Sequence, residues 1–84
     1  MNFCMVCGRP AEWHHIFAGV ANRKLSDKYG FIVPLCPEHH RTGKNAAHRC
    51  REFDLKLKRM AQSYFEEHCG TREGFIKTFG RSYL

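Results

Sequence analysis

Between Arg49 and His68 the residues Phe53, Leu57, Met60, Ala61, Tyr64 and His68 recur at intervals of three and four, a pattern that predicts an amphipathic helix. Gly70 is placed to stop it. Thr71 is placed to cap a short final helix that runs through Phe79 and ends at Gly80. Leu55 falls on the opposite face of the long helix. Upstream the hydrophobic runs are shorter. Glu12 to Phe17, rich in aromatic and β-branched residues, suits a strand, and Phe31-Ile32-Val33 predicts a second one cut off by Pro34. The segment Ala18 to Gly30, with Gly19, Asn22, Ser26, Asp27 and Gly30, reads as a long loop with room for a helical turn. From Pro37 the signals turn helical, with Thr42-Gly43 as an interruption. No repeat, low-complexity tract or linker divides the chain. The expectation is one α+β domain over residues 1–84: two short strands and the start of a helix to residue 48, then a helical extension over 49–84.

Length changes this picture first. A chain of 84 residues buries only about 60 to 65 percent of its unfolded surface, so its core is marginal and a disulfide or metal is a common supplement. Five cysteines leave one over in any disulfide framework, and pairs spaced by two residues suggest zinc in a reducing compartment instead. The opening Met1-Asn2-Phe3-Cys4-Met5-Val6-Cys7 has no secretory character and no stretch approaches a membrane span, so the expectation is a cytoplasmic protein without a membrane partner.

Charge points to a polyanion. Of the formal net charge of +6, the stretch from residue 41 to 59 supplies five, with seven Lys/Arg against two Asp/Glu. Arg41, Lys44, Arg49, Arg51, Lys56 and Arg59 are therefore the candidate nucleic-acid-binding residues, with DNA the expected partner. The simpler explanation is a solvated basic helix face. Such a stretch carries no evident base-reading code, so affinity is expected to be phosphate-dominated and steeply salt-dependent.

Three clusters carry the candidate chemistry. Cys4 and Cys7 form one metal-gripping pair, and Cys36 and His39 a second at the same spacing; together they make a Cys3His set for a structural Zn²⁺. Unrelated buried thiols are the alternative. Cys50 and Cys69 have no such partners and are expected to pack within or beside the long helix. His14 and His15, as strand neighbours, point to opposite faces, so that one can bind a metal while the other meets water or substrate. His40 can add an imidazole to that metal, and His48 comes within reach where Thr42-Gly43 bends the chain back.

Taken together, Cys4-Met5-Val6-Cys7, His14-His15-Ile16 and Val33-Pro34-Leu35-Cys36-Pro37-Glu38-His39-His40 resemble the HNH, or ββα-metal, endonucleases in the branch stiffened by a zinc knuckle. The resemblance covers about residues 4 to 48. It implies a small ββα-metal finger, a two-stranded hairpin plus helix stabilised by structural zinc. It also implies a metal-dependent DNA endonuclease or nickase, with His15 as the general base that activates water and His14, His40 and His48 as ligands of a catalytic metal. The small size and basic helical tail look like those of phage or prophage proteins, which implies a bacterial host cell. Arg41 and Lys44 are placed to hold the scissile phosphate. An imidazole-only site favours Mn²⁺, Ni²⁺, Co²⁺ or Zn²⁺ over Mg²⁺ by ligand softness. Two positions depart from the family's pattern. His39 stands for the usual fourth Cys, and the middle Asn is missing before the second strand, with Asn22 the candidate for its orienting role. One site cuts one strand at a time, so a double-strand break needs a homodimer or two encounters.

Two other functions fit parts of the pattern. One is a non-catalytic zinc-stabilised nucleic-acid-binding module. The other is a zinc-organised adaptor that presents Leu55, Phe75, Phe79 and Tyr83. Neither has a use for adjacent His14 and His15 at an open metal position.

Overall fold

The computed structural model describes residues 2–84. Strand β1 (Glu12–His15), helix α1 (Val20–Tyr29) and strand β2 (Ile32–Leu35) come first, followed by a π-helical turn at Glu38–Thr42 and helices α2 (Arg51–His68) and α3 (Arg72–Phe79). The two strands pair antiparallel with His14 opposite Val33 and His15 opposite Ile32. The fold is thus a small α+β arrangement of one antiparallel pair with helices. Among the described residues no helix is long and apolar enough to cross a membrane.

Three sequence expectations are corrected. The loop expected over Ala18–Gly30 is helix α1, because the glycines read as loop signals are its boundaries: Gly19 precedes it, and Gly30 ends it in the left-handed conformation at φ 74°. Strand β2 continues through Pro34. The Pro34 carbonyl accepts from Met5 N–H at 2.9 Å, and since a strand residue's N–H and C=O share one side, its missing donor faces the Cys4–Cys7 turn and not β1. On α2 the buried line is Leu57, Ala61, Gln62 and Phe65, while Met60 and Tyr64 are half-exposed and His68 is exposed. Polar Gln62 is buried because its side chain is satisfied: Nε2 donates to Glu66 and Ser82, and Oε1 accepts from Tyr83 N–H at 2.7 Å. Helix α3 begins and ends as its sequence predicts, with Thr71 Oγ1 accepting from Gly74 N–H and Gly80 in the left-handed region.

The core is aromatic. Phe17, Phe31, Phe65, Phe75 and Phe79 cluster with Leu35, Leu57 and Ala61, joining the strand pair to α2 and α3. Phe75 and Phe79 are therefore inside the domain, and Tyr83 packs partly buried against it, which removes these aromatics as an adaptor surface; Leu55 is half-buried. Ser26, fully buried, latches α1 to the end of β1: its hydroxyl accepts from Phe17 N–H at 3.1 Å and donates to Phe17 C=O at 3.0 Å.

Candidate metal centres and catalytic cavity

The N-terminal turn is built for ligands. Gly8 N–H donates to Cys4 C=O, Gly8 takes φ 77°, and Cys4 N–H returns to Arg9 C=O, so the chain folds back and presents both thiols to one side. Strand β2 delivers Cys36, and the π-helical turn delivers His39. Cys7 Sγ lies 3.6 Å from Cys36 Sγ, and His39 Nδ1 lies 3.2 Å from Cys36 Sγ and 3.7 Å from Cys4 Sγ. A tetrahedral zinc with ~2.3 Å bonds to sulfur places its ligands about 3.8 Å apart, whereas a disulfide needs ~2.05 Å. The spacing therefore fits a metal cage and not a cross-link. All four ligand atoms lie within 4.8 Å of one another, which is compatible with a structural zinc. Burial pushes the Cys4 thiol up, but N–H donors from Cys36, Cys7 and Val6 outweigh it and bring it down to about 6, favouring the thiolate that zinc requires. The Arg9–Glu38 ion pair at 2.7 Å closes over the same junction from outside.

A second cluster lies on the other side of the π-helical turn. His14 comes from β1 and His40 from the turn. His48 comes from the segment after Gly43, where backbone N–H groups of Ala47 and His48 bond to the carbonyls of His39 and His40 and fold the chain back. The three imidazoles have ring centroids 4.7 to 5.1 Å apart and ligand atoms within 4.8 Å of one another. His14 is 3 % exposed, and its Nε2 is a buried polar atom without a hydrogen-bond partner among the described residues. Such an atom normally has a partner. Burial, and then the neighbouring His40 and His48, push the His14 pKa down to about 4. The ring is thus neutral near pH 7, and in the Nδ1–H tautomer it presents a lone pair at the buried Nε2. His48 is pushed down by burial, then by His40 and Arg41. The donor set suits a divalent ion accepting three imidazoles, which would give His14 Nε2 a partner.

Glu12, which sequence reasoning missed, orients this cluster. Its Oε1 accepts from His40 Nδ1–H at 2.5 Å, leaving His40 Nε2 free as the donor to a metal. Arg41 holds the same carboxylate through Nε and Nη2 at 2.7 to 3.0 Å, and these contacts keep the Glu12 carboxyl below the usual carboxylate range. The signal was in the sequence, since Glu12 and His14 share a strand face. Arg41 is thus paired with Glu12 through Nε and Nη2, while its side chain stays 60 % exposed and its Nη1 has no hydrogen bond among the described residues.

His14, His15, His40, His48, Arg23, Arg41, Trp13 and Ala18 line one cavity of about 410 Å³. His15 Nε2 meets Asp27 Oδ1 at 2.9 Å. Arg23 lies one helical turn before Asp27 and has no ion pair or side-chain hydrogen bond among the described residues. Both were invisible while Ala18–Gly30 read as a loop, because their spacing of four has meaning only on a helix. Asn22 does not line this cavity. Of the remaining basic candidates, Arg49 donates to Thr42 C=O and Arg59 to Tyr83 C=O, while Lys44, Arg51 and Lys56 are exposed. Cys50 precedes α2 and is half-buried, and Cys69 at its end is exposed, both apart from the two clusters. In comparisons with protein-family models, curated proteins and solved structures, nothing matches this chain.

Proposed function

We propose that this chain is a metal-dependent DNA endonuclease or nickase of the HNH type, held together by a structural zinc at Cys4, Cys7, Cys36 and His39. One observation carries the reading: an orphaned, neutral His14 Nε2 shares a cavity with His40, His48, His15 and an unpaired arginine. A structural zinc needs none of these groups, and phosphodiester hydrolysis uses them all. His14, His40 and His48 would hold a divalent ion, which supplies charge stabilisation to the phosphorane-like transition state and to the leaving 3′ oxygen. His15 accepts the proton of the attacking water. Arg23 holds a non-bridging oxygen of the scissile phosphate, beside Arg41, whose Nε and Nη2 are engaged by Glu12. Glu12 fixes the His40 ring in its ligating orientation. Exposed Lys44, Arg51 and Lys56 attract the DNA backbone, so binding weakens as salt rises and depends little on sequence.

The donor set makes a further prediction. Three imidazoles without a carboxylate favour borderline metals, so Mn²⁺, Co²⁺ or Ni²⁺ supports faster nicking of supercoiled plasmid than Mg²⁺ at equal concentration. Initial nicking rates across these four metals on zinc-loaded protein are the check. A rate in Mg²⁺ equal to or above the others would mean that a carboxylate completes the site. The alternative function, a zinc-stabilised binding module, would show salt-sensitive DNA binding and no nicking in any metal.

A further inference from the structure

The contact between His15 and Asp27 is not explained by stability. The Asp27 side chain is 63 % exposed, and an ion pair so open to water adds little to folding. Its placement is nonetheless rigid. The preceding residue, Ser26, is fully buried and tied to Phe17 by two hydrogen bonds, while its carbonyl accepts from Phe31 N–H at 2.7 Å. Phe17 follows His15 by two residues. The latch therefore fixes α1 against the end of β1 and sets Asp27 at hydrogen-bonding distance from the His15 ring.

A carboxylate offers only acceptors, so the 2.9 Å contact requires His15 Nε2 to carry the proton. In the neutral ring the other nitrogen, Nδ1, then holds the lone pair. We propose that Asp27 is the positioning residue for His15, locking the imidazole in its Nε2–H tautomer so that Nδ1 accepts the proton of water. This inference rests on the nuclease reading and deepens it. In the step it serves, a proton passes from water to Nδ1, the water oxygen forms the new bond to phosphorus, and the 3′ oxygen leaves with the electron pair of the broken P–O bond. The imidazolium so formed donates from both nitrogens and remains held by Asp27.

Two substitutions separate orientation from charge. Asp27→Ala removes the acceptor. Asp27→Asn keeps an oxygen that accepts from Nε2–H and removes the charge. The test records ¹⁵N–¹H long-range correlation spectra of His15 in zinc-loaded protein, together with kcat and KM for plasmid nicking. In wild type the Nε2–H tautomer is expected to dominate. In Asp27→Ala it gives way to a mixture, and kcat falls roughly 10- to 100-fold while KM stays within about twofold. In Asp27→Asn the tautomer and most of kcat return. An Nδ1–H tautomer in wild type, or an unchanged kcat in Asp27→Ala, would overturn the proposal. Asp27→Asn as impaired as Asp27→Ala would also overturn it, since charge and not orientation would then be what Asp27 supplies. Wild type with the expected tautomer but no nicking would instead remove the nuclease reading, and the positioning role with it, leaving the contact itself intact.

Discussion

Stripping zinc from this chain, or replacing Cys36 by Ser, is expected to unfold it. The four ligands come from the N-terminal turn, the end of β2 and the π-helical turn, and the first of these is otherwise tied to the rest mainly by Met5 N–H to Pro34 C=O, the Arg9–Glu38 ion pair and the buried Cys4 side chain. Phe3, Met5 and Val6 around the knuckle are about half-exposed, so the turn buries little apolar surface of its own. A structural zinc contributes about 10 to 16 kcal/mol in small zinc-binding peptides, whereas a whole domain is stable by only about 5 to 15 kcal/mol. Loss of the ion therefore exceeds what the aromatic core of Phe17, Phe31, Phe65, Phe75 and Phe79 can offset. Circular dichroism during titration with a chelator should show cooperative loss of helix, restored by added Zn²⁺. A Cys36→Ser chain that keeps its helical signal and thermal transition would show that the core folds without the ion.

The second large effect is expected at the imidazole cluster, with the fold left intact. His14→Ala removes the buried Nε2 and one of the three proposed ligands, and zinc is expected to stay bound at the separate cysteine-containing site. Affinity for the second divalent ion should fall by more than 100-fold, because losing a ligand should cost more than losing a residue that only orients one, which costs roughly 10- to 100-fold. Glu12→Gln belongs to that milder class. Its amide oxygen can still accept from His40 Nδ1–H, but the charge that Arg41 and His40 both face is gone. Calorimetric titration of zinc-loaded protein with Mn²⁺ measures both. His14→Ala with wild-type Mn²⁺ affinity would remove His14 from the ligand set, and an equal loss in the two variants would place Glu12 on the metal itself.

What the sequence conveyed and what it withheld follow from the range of each interaction. Spacings of two residues at Cys4–Cys7 and Cys36–His39 constrain a turn directly, and the structure brings all four ligand atoms together. Adjacent His14 and His15 find different partners, His14 lying against His40 and His48 and His15 against Asp27 of α1, although both line one cavity. The reading failed where a residue carried two meanings. Gly19 and Gly30 mark a loop when counted together and the ends of a helix when ten helix-compatible residues lie between them. That misreading hid Arg23 and Asp27. Gln62 was passed over on α2 because its partners, Ser82 and Tyr83, lie some 20 residues away and only tertiary contact makes a buried amide tolerable. Arg41 drew attention by position alone, and nothing local revealed that Glu12 already held it.

The central claim is that the histidine cavity cuts phosphodiester bonds. The most direct measurement is nicking of supercoiled plasmid by zinc-loaded wild type and His15→Ala in Mn²⁺, with zinc content and DNA affinity measured for both. The account predicts nicking by wild type and a loss of roughly 10²- to 10⁴-fold in the variant, with zinc and affinity unchanged. A wild type that binds zinc and DNA but leaves the plasmid supercoiled, or a His15→Ala variant that nicks as fast, would contradict it.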